Sequence, residues 1–359
     1  MNWELFHTLL SFDSTSGKEQ EVASWLLEHL EAPSKQSFEV GDGTLNLLLS
    51  WGSPKVVFCS HMDTVPPYFP PVIDNSIVKG RGSCDAKGQI FAMYTACKEL
   101  EAQGATDFGL LLLAGEETGS WGAKAFSKTG FQAPFLIVGE PTENKMVSAS
   151  KGTLSYDLKF TGKAFHSGYP QFGVSAVDLF NEFYNKLKAV DWGMDPELGE
   201  TTWNIGLLNS DNPQNILSPE LTCRLYFRTT FASHQKVQDW MKGVALSGAF
   251  ARTETTPEIR DSRGPRWSRS DAEERVTPFI AEARGTGDTP AHYVTLPGFA
   301  SAPVAFGSDA PHLTGFGHKI ICGPGSIRFA HRDDEHILVQ DLEDAVELYK
   351  RMFAMLLTN

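Results

Sequence analysis

Residues 109–119 read GLLLLAGEETG. Five apolar residues in a row carry no polar–apolar alternation, so neither face of a strand here can meet water; such a strand lies inside a sheet covered on both sides. Directly after it stand two adjacent carboxylates, Glu116 and Glu117. The same texture recurs at 55–60 (KVVFCS) and 134–138 (PFLIV). Between these runs, residues 86–102 place Ile90, Met93, Tyr94, Cys97 and Leu100 on one helical face, and residues 17–31 do the same with Val22, Trp25, Leu26 and Leu30. Buried strands alternating with helices predict an α/β fold over the first 150 or so residues.

Beyond Lys151-Gly152 the texture changes. Residues 153–161 (TLSYDLKFT) alternate apolar and polar, as a strand with one open face does. Residues 173–190 and 235–246 read as amphipathic helices, and 201–208 and 220–230 as strands. The stretch 251–273, rich in charge, proline and glycine, reads as the crossing back. Residues 319–322 (KIIC) and a helix over 340–357 then resume the buried α/β texture. The expected organisation is a split first domain, 1–152 and 259–359, with an α+β domain inserted at 153–258.

The chain has 359 residues, 41% hydrophobic and 21% charged, which suits two globular domains. The net charge of -13 argues against nucleic-acid binding, which needs a basic face. Five scattered cysteines without a Cys-x-x-Cys pair argue against a disulfide framework or a thiolate zinc site. Residues 1–10 do not read as a signal peptide, and no apolar run is long enough to cross a bilayer. A reducing cytoplasm is the expected setting.

Several short motifs follow the predicted strands. Residues 60–65 (SHMDTV) put His61 and Asp63 two apart, where extended side chains point the same way and one can orient the other. Asp85 lies in GRGSCDAKG (80–88), before the helix over 86–102; alone, it reads as a helix cap. Glu140 follows a strand in GEPT (139–142), and His331 follows a Gly-Pro-Gly turn in GPGSIRFAHRDDE (323–335). Each motif alone is common. Together they gather two histidines and several carboxylates at strand ends, where open α/β sheets build their sites. Buried like charges need a counter-ion. Imidazole and carboxylate donors suit zinc, with cobalt or manganese as substitutes.

SHMDTVP, GRGSCDAKG, GEETG, GEPT and GPGSIRFAH occur in the order seen in the metallopeptidase family of acetylornithine deacetylase, succinyl-diaminopimelate desuccinylase, aminoacylase and carboxypeptidase G, and the chain resembles that family from about residue 7 onward. The resemblance implies two divalent ions, with His61 and Glu140 on one, Glu117 and His331 on the other, and Asp85 on both. Asp63 would orient His61. Glu116 would be the general base that takes a proton from the attacking water. The inserted domain would be the family's lid and dimerisation domain, a ferredoxin-like four-stranded antiparallel sheet with two helices. His166, in GKAFHSG (162–168), would reach the partner subunit's site. Asn215 and Arg228 would bind the substrate's carboxylate, with Gly325 and Ser326 adding backbone donors. Lys151-Gly152 stands where relatives often carry Arg-Gly, so Lys151 would meet the anion as a point charge rather than a fork. The implied activity is removal of an acyl group from an N-acyl amino acid, as in arginine or lysine biosynthesis, by a homodimer. A dipeptidase or carboxypeptidase would need the same residues, and a non-catalytic binder would not need all of them intact.

Overall fold

The structure is a computed structural model that describes residues 1–41, 43–246, 279–283 and 287–358. It divides into two compact units, 1–150 with 291–359, and 151–290.

The first unit is built on a six-stranded mixed sheet. Its strands run in the order Ser34–Gly41, Thr44–Trp51, Phe108–Leu113, Val56–His61, Ala133–Val138 and Phe316–Ile321. The last four are mutually parallel, and the first two are added antiparallel. Every residue of Phe108–Leu113 and Val56–His61 is buried. Alternate residues serve opposite faces. Leu49, Phe58, Leu110, Ile137 and Ile320 join the core beneath the helices Lys87–Ala102 and Val339–Thr358, while Leu48, Val57, Leu111, Leu136 and Ile321 join the core that includes Ala123 and Phe126 of Trp121–Ser127. Two covered faces are the physical reason these strands show unbroken apolar runs.

The inserted unit has a four-stranded antiparallel sheet in the order Thr202–Asn209, Glu220–Thr229, Gly152–Thr161 and Phe279–Ala283. The helices Ala176–Lys188 and His234–Leu246 belong to it. Gly152–Thr161 alternates between buried and half-buried residues, as its sequence predicts, and Leu154, Tyr156, Leu158 and Phe160 enter a core with Leu179, Phe183 and Val237. The fold class therefore agrees with the sequence reading.

The return boundary does not. Expected at residue 258, it lies at Pro290, because Phe279–Ala283 first pairs antiparallel with Gly152–Thr161. The stretch 251–273, read as the crossing, lies outside the described residues. Elements the sequence reading passed over include the helices Trp3–Leu10 and Trp121–Ser127 and the hairpin strands Ser34–Gly41 and Thr44–Trp51.

Candidate metal centre

The C-terminal ends of the parallel strands deliver the polar motifs to one edge of the sheet. Val56–His61 ends in His61 and runs into Asp63. Phe108–Leu113 leads to Gly115, whose φ of +67° turns the chain into Glu116 and Glu117. No side chain fits at Gly115, since an added Cβ would stand 1.8 Å from the Trp121 ring nitrogen. Ala133–Val138 leads through Gly139 to Glu140, and Phe316–Ile321 leads to the 323–335 segment. Asp85 enters from the loop before Lys87–Ala102.

Asp85 lies between two histidines. Its Oδ1 is 3.1 Å from His61 Nε2, and its Oδ2 is 3.4 Å from His331 Nε2. His331 Nε2 is also 2.8 Å from Glu117 Oε1. One donor atom each from His61, Asp85 and Glu117 lies within 4.8 Å of the others, so these residues could hold a metal ion. Glu140 is buried nearby, and its Oε1 has no hydrogen-bond partner among the described residues. A buried carboxylate oxygen without a partner, beside other carboxylates, is costly unless a cation completes it. The residues present fit such an ion.

Asp63 is the hub beneath the cluster. His61 Nδ1 lies 3.0 Å from its main-chain oxygen and 3.3 Å from Oδ1. Oδ1 also accepts the Glu116 N–H at 3.0 Å. Oδ2 accepts the Glu117 N–H at 3.1 Å and the Ser16 hydroxyl at 2.7 Å. One buried carboxylate thus orients an imidazole and fixes the backbone of both paired glutamates.

The electrostatics express crowded charge. Burial opposes ionisation of Asp85, but hydrogen bonds from His331 and His61 outweigh it and hold its carboxyl below the usual range. Hydrogen bonds to Asp85 and Glu117 raise His331 to about 10. Burial disfavours the charged form of His61, yet Asp63 and Asp85 push its pKa well up. Burial, reinforced by neighbouring carboxylates, pushes Glu116 and Glu140 far above the ordinary carboxylate range, and burial with Asp85 also raises Glu117. Crowded, buried carboxylates favour either a bound proton or a cation.

The other sequence-identified residues fall into separate groups. In the inserted unit, His166 and Asn215 are exposed and adjacent: their segments form a β-bridge at His166–Ile216, and Ser167 N–H donates to the Asn215 carbonyl at 2.8 Å. Gly168 N–H donates to His166 Nδ1 at 3.0 Å. Lys151 and Arg228 share one end of the sheet, where Thr153 pairs with Arg228. The Lys151 ammonium donates to the Glu200 carbonyl, and its pKa is lowered by burial. Gly325 and Ser326 belong to the first unit. Gly325 packs against Cys84, where an added Cβ would meet the sulfur at 2.8 Å, and the Ser326 hydroxyl donates to Glu143 Oε1 at 2.8 Å.

Three acidic residues around the cluster escaped the sequence reading. Glu335 is fully buried against the Asp85 loop and paired with buried Arg81. Glu19, also buried, accepts the Gly17 N–H. Asp309 is buried with its pKa raised to about 6, chiefly by burial. Nothing in the RDDE run at 332–335 separates Glu335 from a solvated charge, and Glu19 and Asp309 sit in polar stretches that read as a helix start and a turn.

Residues 57–355 match the model of the family described as peptidase family M20/M25/M40. The chain belongs to this family. A peptidase M20 domain-containing protein from Schizosaccharomyces pombe is 31% identical, with 97% of this chain and 83% of that protein aligned. A probable carboxypeptidase from Aspergillus terreus is also 31% identical, over 97% of this chain and 84% of its own length. Among solved structures, a tripeptidase from Staphylococcus aureus superposes with a TM-score of 0.76 at 19% identity, covering 99% of this chain and 98% of that one. An M20 family metallo-carboxypeptidase from Sulfolobus solfataricus does so at 0.67 and 15%, covering 97% of each. This M20 chain is a metallo-hydrolase, and none of its described helices is long and apolar enough to cross a membrane.

Proposed function

We propose that the M20 chain uses two divalent ions to hydrolyse an amide whose leaving amine belongs to an amino acid with a free carboxylate. The observation that carries this reading is Asp85, whose two oxygens face different histidines. A carboxylate placed this way could be shared by two ions. His61 and Glu140 would hold one ion, and Glu117 and His331 the other. Zinc best matches the donors, with cobalt or manganese as substitutes. The ions would supply Lewis-acid polarisation of the amide carbonyl and acidification of the attacking water.

The protein's own groups do the rest. Glu116 takes the proton of the attacking water and passes it to the leaving nitrogen. A half-buried carboxylate whose backbone is held by Asp63 is placed for that double task. Asp63 fixes Glu116 through its backbone N–H, so the base is aimed before substrate arrives. In the inserted unit, Arg228 and Lys151 would supply positive charge for the substrate's carboxylate, with Asn215 as a hydrogen-bonding group. The exposed His166 stabilises the developing oxyanion in the partner subunit of a homodimer.

The Aspergillus relative and the Sulfolobus enzyme are named as carboxypeptidases, which weighs toward carboxypeptidase action on peptides. Acyl-amino-acid hydrolysis, of the acetylornithine deacetylase kind, is favoured by Glu140, because family aminopeptidases more often carry aspartate there. Both use the same chemistry. Zinc- or cobalt-loaded protein tested on dipeptides, tripeptides, N-acetylornithine and N-succinyl-diaminopimelate, with a chelated control, separates them. Metal-dependent release of a C-terminal amino acid from peptides assigns a carboxypeptidase, and cleavage of one acyl amino acid alone assigns a deacylase. Silence across the panel refutes the proposal.

A further inference from the structure

The geometry points to Glu335 as a positioning residue for the metal centre, acting through Asp85. Glu335 is fully buried and four residues after His331. Its Oε1 accepts three backbone N–H groups of one loop: Gly82 at 2.9 Å, Cys84 at 3.0 Å and Asp85 at 3.1 Å. Its Oε2 takes the Arg81 guanidinium at 2.5 Å. Arg81 is itself buried, held by the Pro67 carbonyl at 3.0 Å and lying over the Phe69 ring. The 80–85 loop therefore wraps a carboxylate of its own chain, much as backbone nests wrap anions.

A simple fold brace would need the Arg81 pair alone. Here the carboxylate also grips the backbone up to Asp85 itself. Short strand pairing fixes Glu335 in place: His336 pairs with Lys79, and Gly80 N–H donates to the Glu335 carbonyl at 3.1 Å. One side chain thus ties the His331 segment to the loop that presents Asp85, and so sets how Asp85 lies between His61 and His331. Small displacements of such a ligand are expensive, because coordination geometry depends on the groups that orient the ligands.

The inference rests on Asp85 being a metal ligand, and its test separates the two ideas. Chelator-stripped parent and the variants Glu335→Gln and Glu335→Asp would be titrated with cobalt alone, following visible absorption and competition with a chelating dye. Gln keeps the size and loses the charge; Asp keeps the charge and withdraws it by one methylene. The expected result is folded protein by circular dichroism, cobalt binding weakened by about 10- to 100-fold, an altered absorption band, and kcat of the zinc-loaded form reduced comparably with KM little changed. A folded Glu335→Gln protein with parental affinity and spectrum overturns the inference. So does failure of both variants to fold, which would make Glu335 a residue of the fold alone. The parent's own titration tests the metal reading separately: a parent that binds no cobalt refutes that reading and the Glu335 role with it, while a parent that binds any number of ions supplies the reference for the variant ratio.

Discussion

In the first unit, His61, Asp63, Asp85 and Glu140 are buried, and Asp63 alone ties an imidazole to the backbone of two glutamates. In the inserted unit, His166 and Asn215 stand exposed on neighbouring turns, and Arg228 has no carboxylate partner among the described residues. The first group is a set of buried charges that a cation could balance; the second is a set of polar groups open to solvent. Buried polar groups must be satisfied where they are, so their geometry is fixed before any ligand binds. Exposed groups have water as an alternative, so their geometry is not fixed in the same way.

Substitutions can break this contrast in order of severity. Asp85→Ala removes the group shared by both proposed ions and should abolish tight metal binding and activity together, read by metal analysis after gel filtration. His166→Ala should lower kcat by about 10²- to 10³-fold, the scale of one oxyanion donor, with metal content unchanged. If His166 works in trans, mixing His166→Ala with Glu116→Gln should restore partial activity in heterodimers, and verified heterodimers without recovery would place His166 outside catalysis. Asp63→Asn should weaken both metal affinity and kcat by about 10- to 100-fold, since the amide cannot accept on both sides. A loss confined to kcat would mean that Asp63 serves Glu116 and not His61.

The smallest effect is one of pH. Hydrogen bonds to Asp85 and Glu117 raise His331 to about 10. A raised histidine contributes stability that is fully present below its unfolded value of about 6.5 and is lost as pH rises through about 10. Metal-free protein should therefore lose part of its stability over that window, whereas metal binding, which needs neutral imidazole, should strengthen and release protons. Thermal melts across pH with and without zinc would show the two trends diverging. Parallel trends would contradict the charge arrangement around Asp85.

The legibility of the two units differs for the same physical reason. Phe108–Leu113 is covered on both faces, so its apolar run announces both the strand and the sheet position of Glu116 and Glu117. The runs Val56–His61 and Ala133–Val138 do the same for His61 and Glu140. The sequence could not show Glu335 and Glu19, because a carboxylate that holds backbone N–H groups leaves no periodic trace. The return boundary is not legible because the strand Phe279–Ala283, short and late, completes a sheet whose nearest other member in the chain ends at Thr229. Such pairing is set by tertiary contacts rather than local pattern.

The most direct test of the account is Glu116→Gln, in which a carboxylate becomes an amide of nearly the same shape. Parental metal content and a parental melting curve are expected, with kcat on the best panel substrate lower by about 10²- to 10⁴-fold. Unchanged turnover with metal retained would contradict the claim that Glu116 moves the proton in this site.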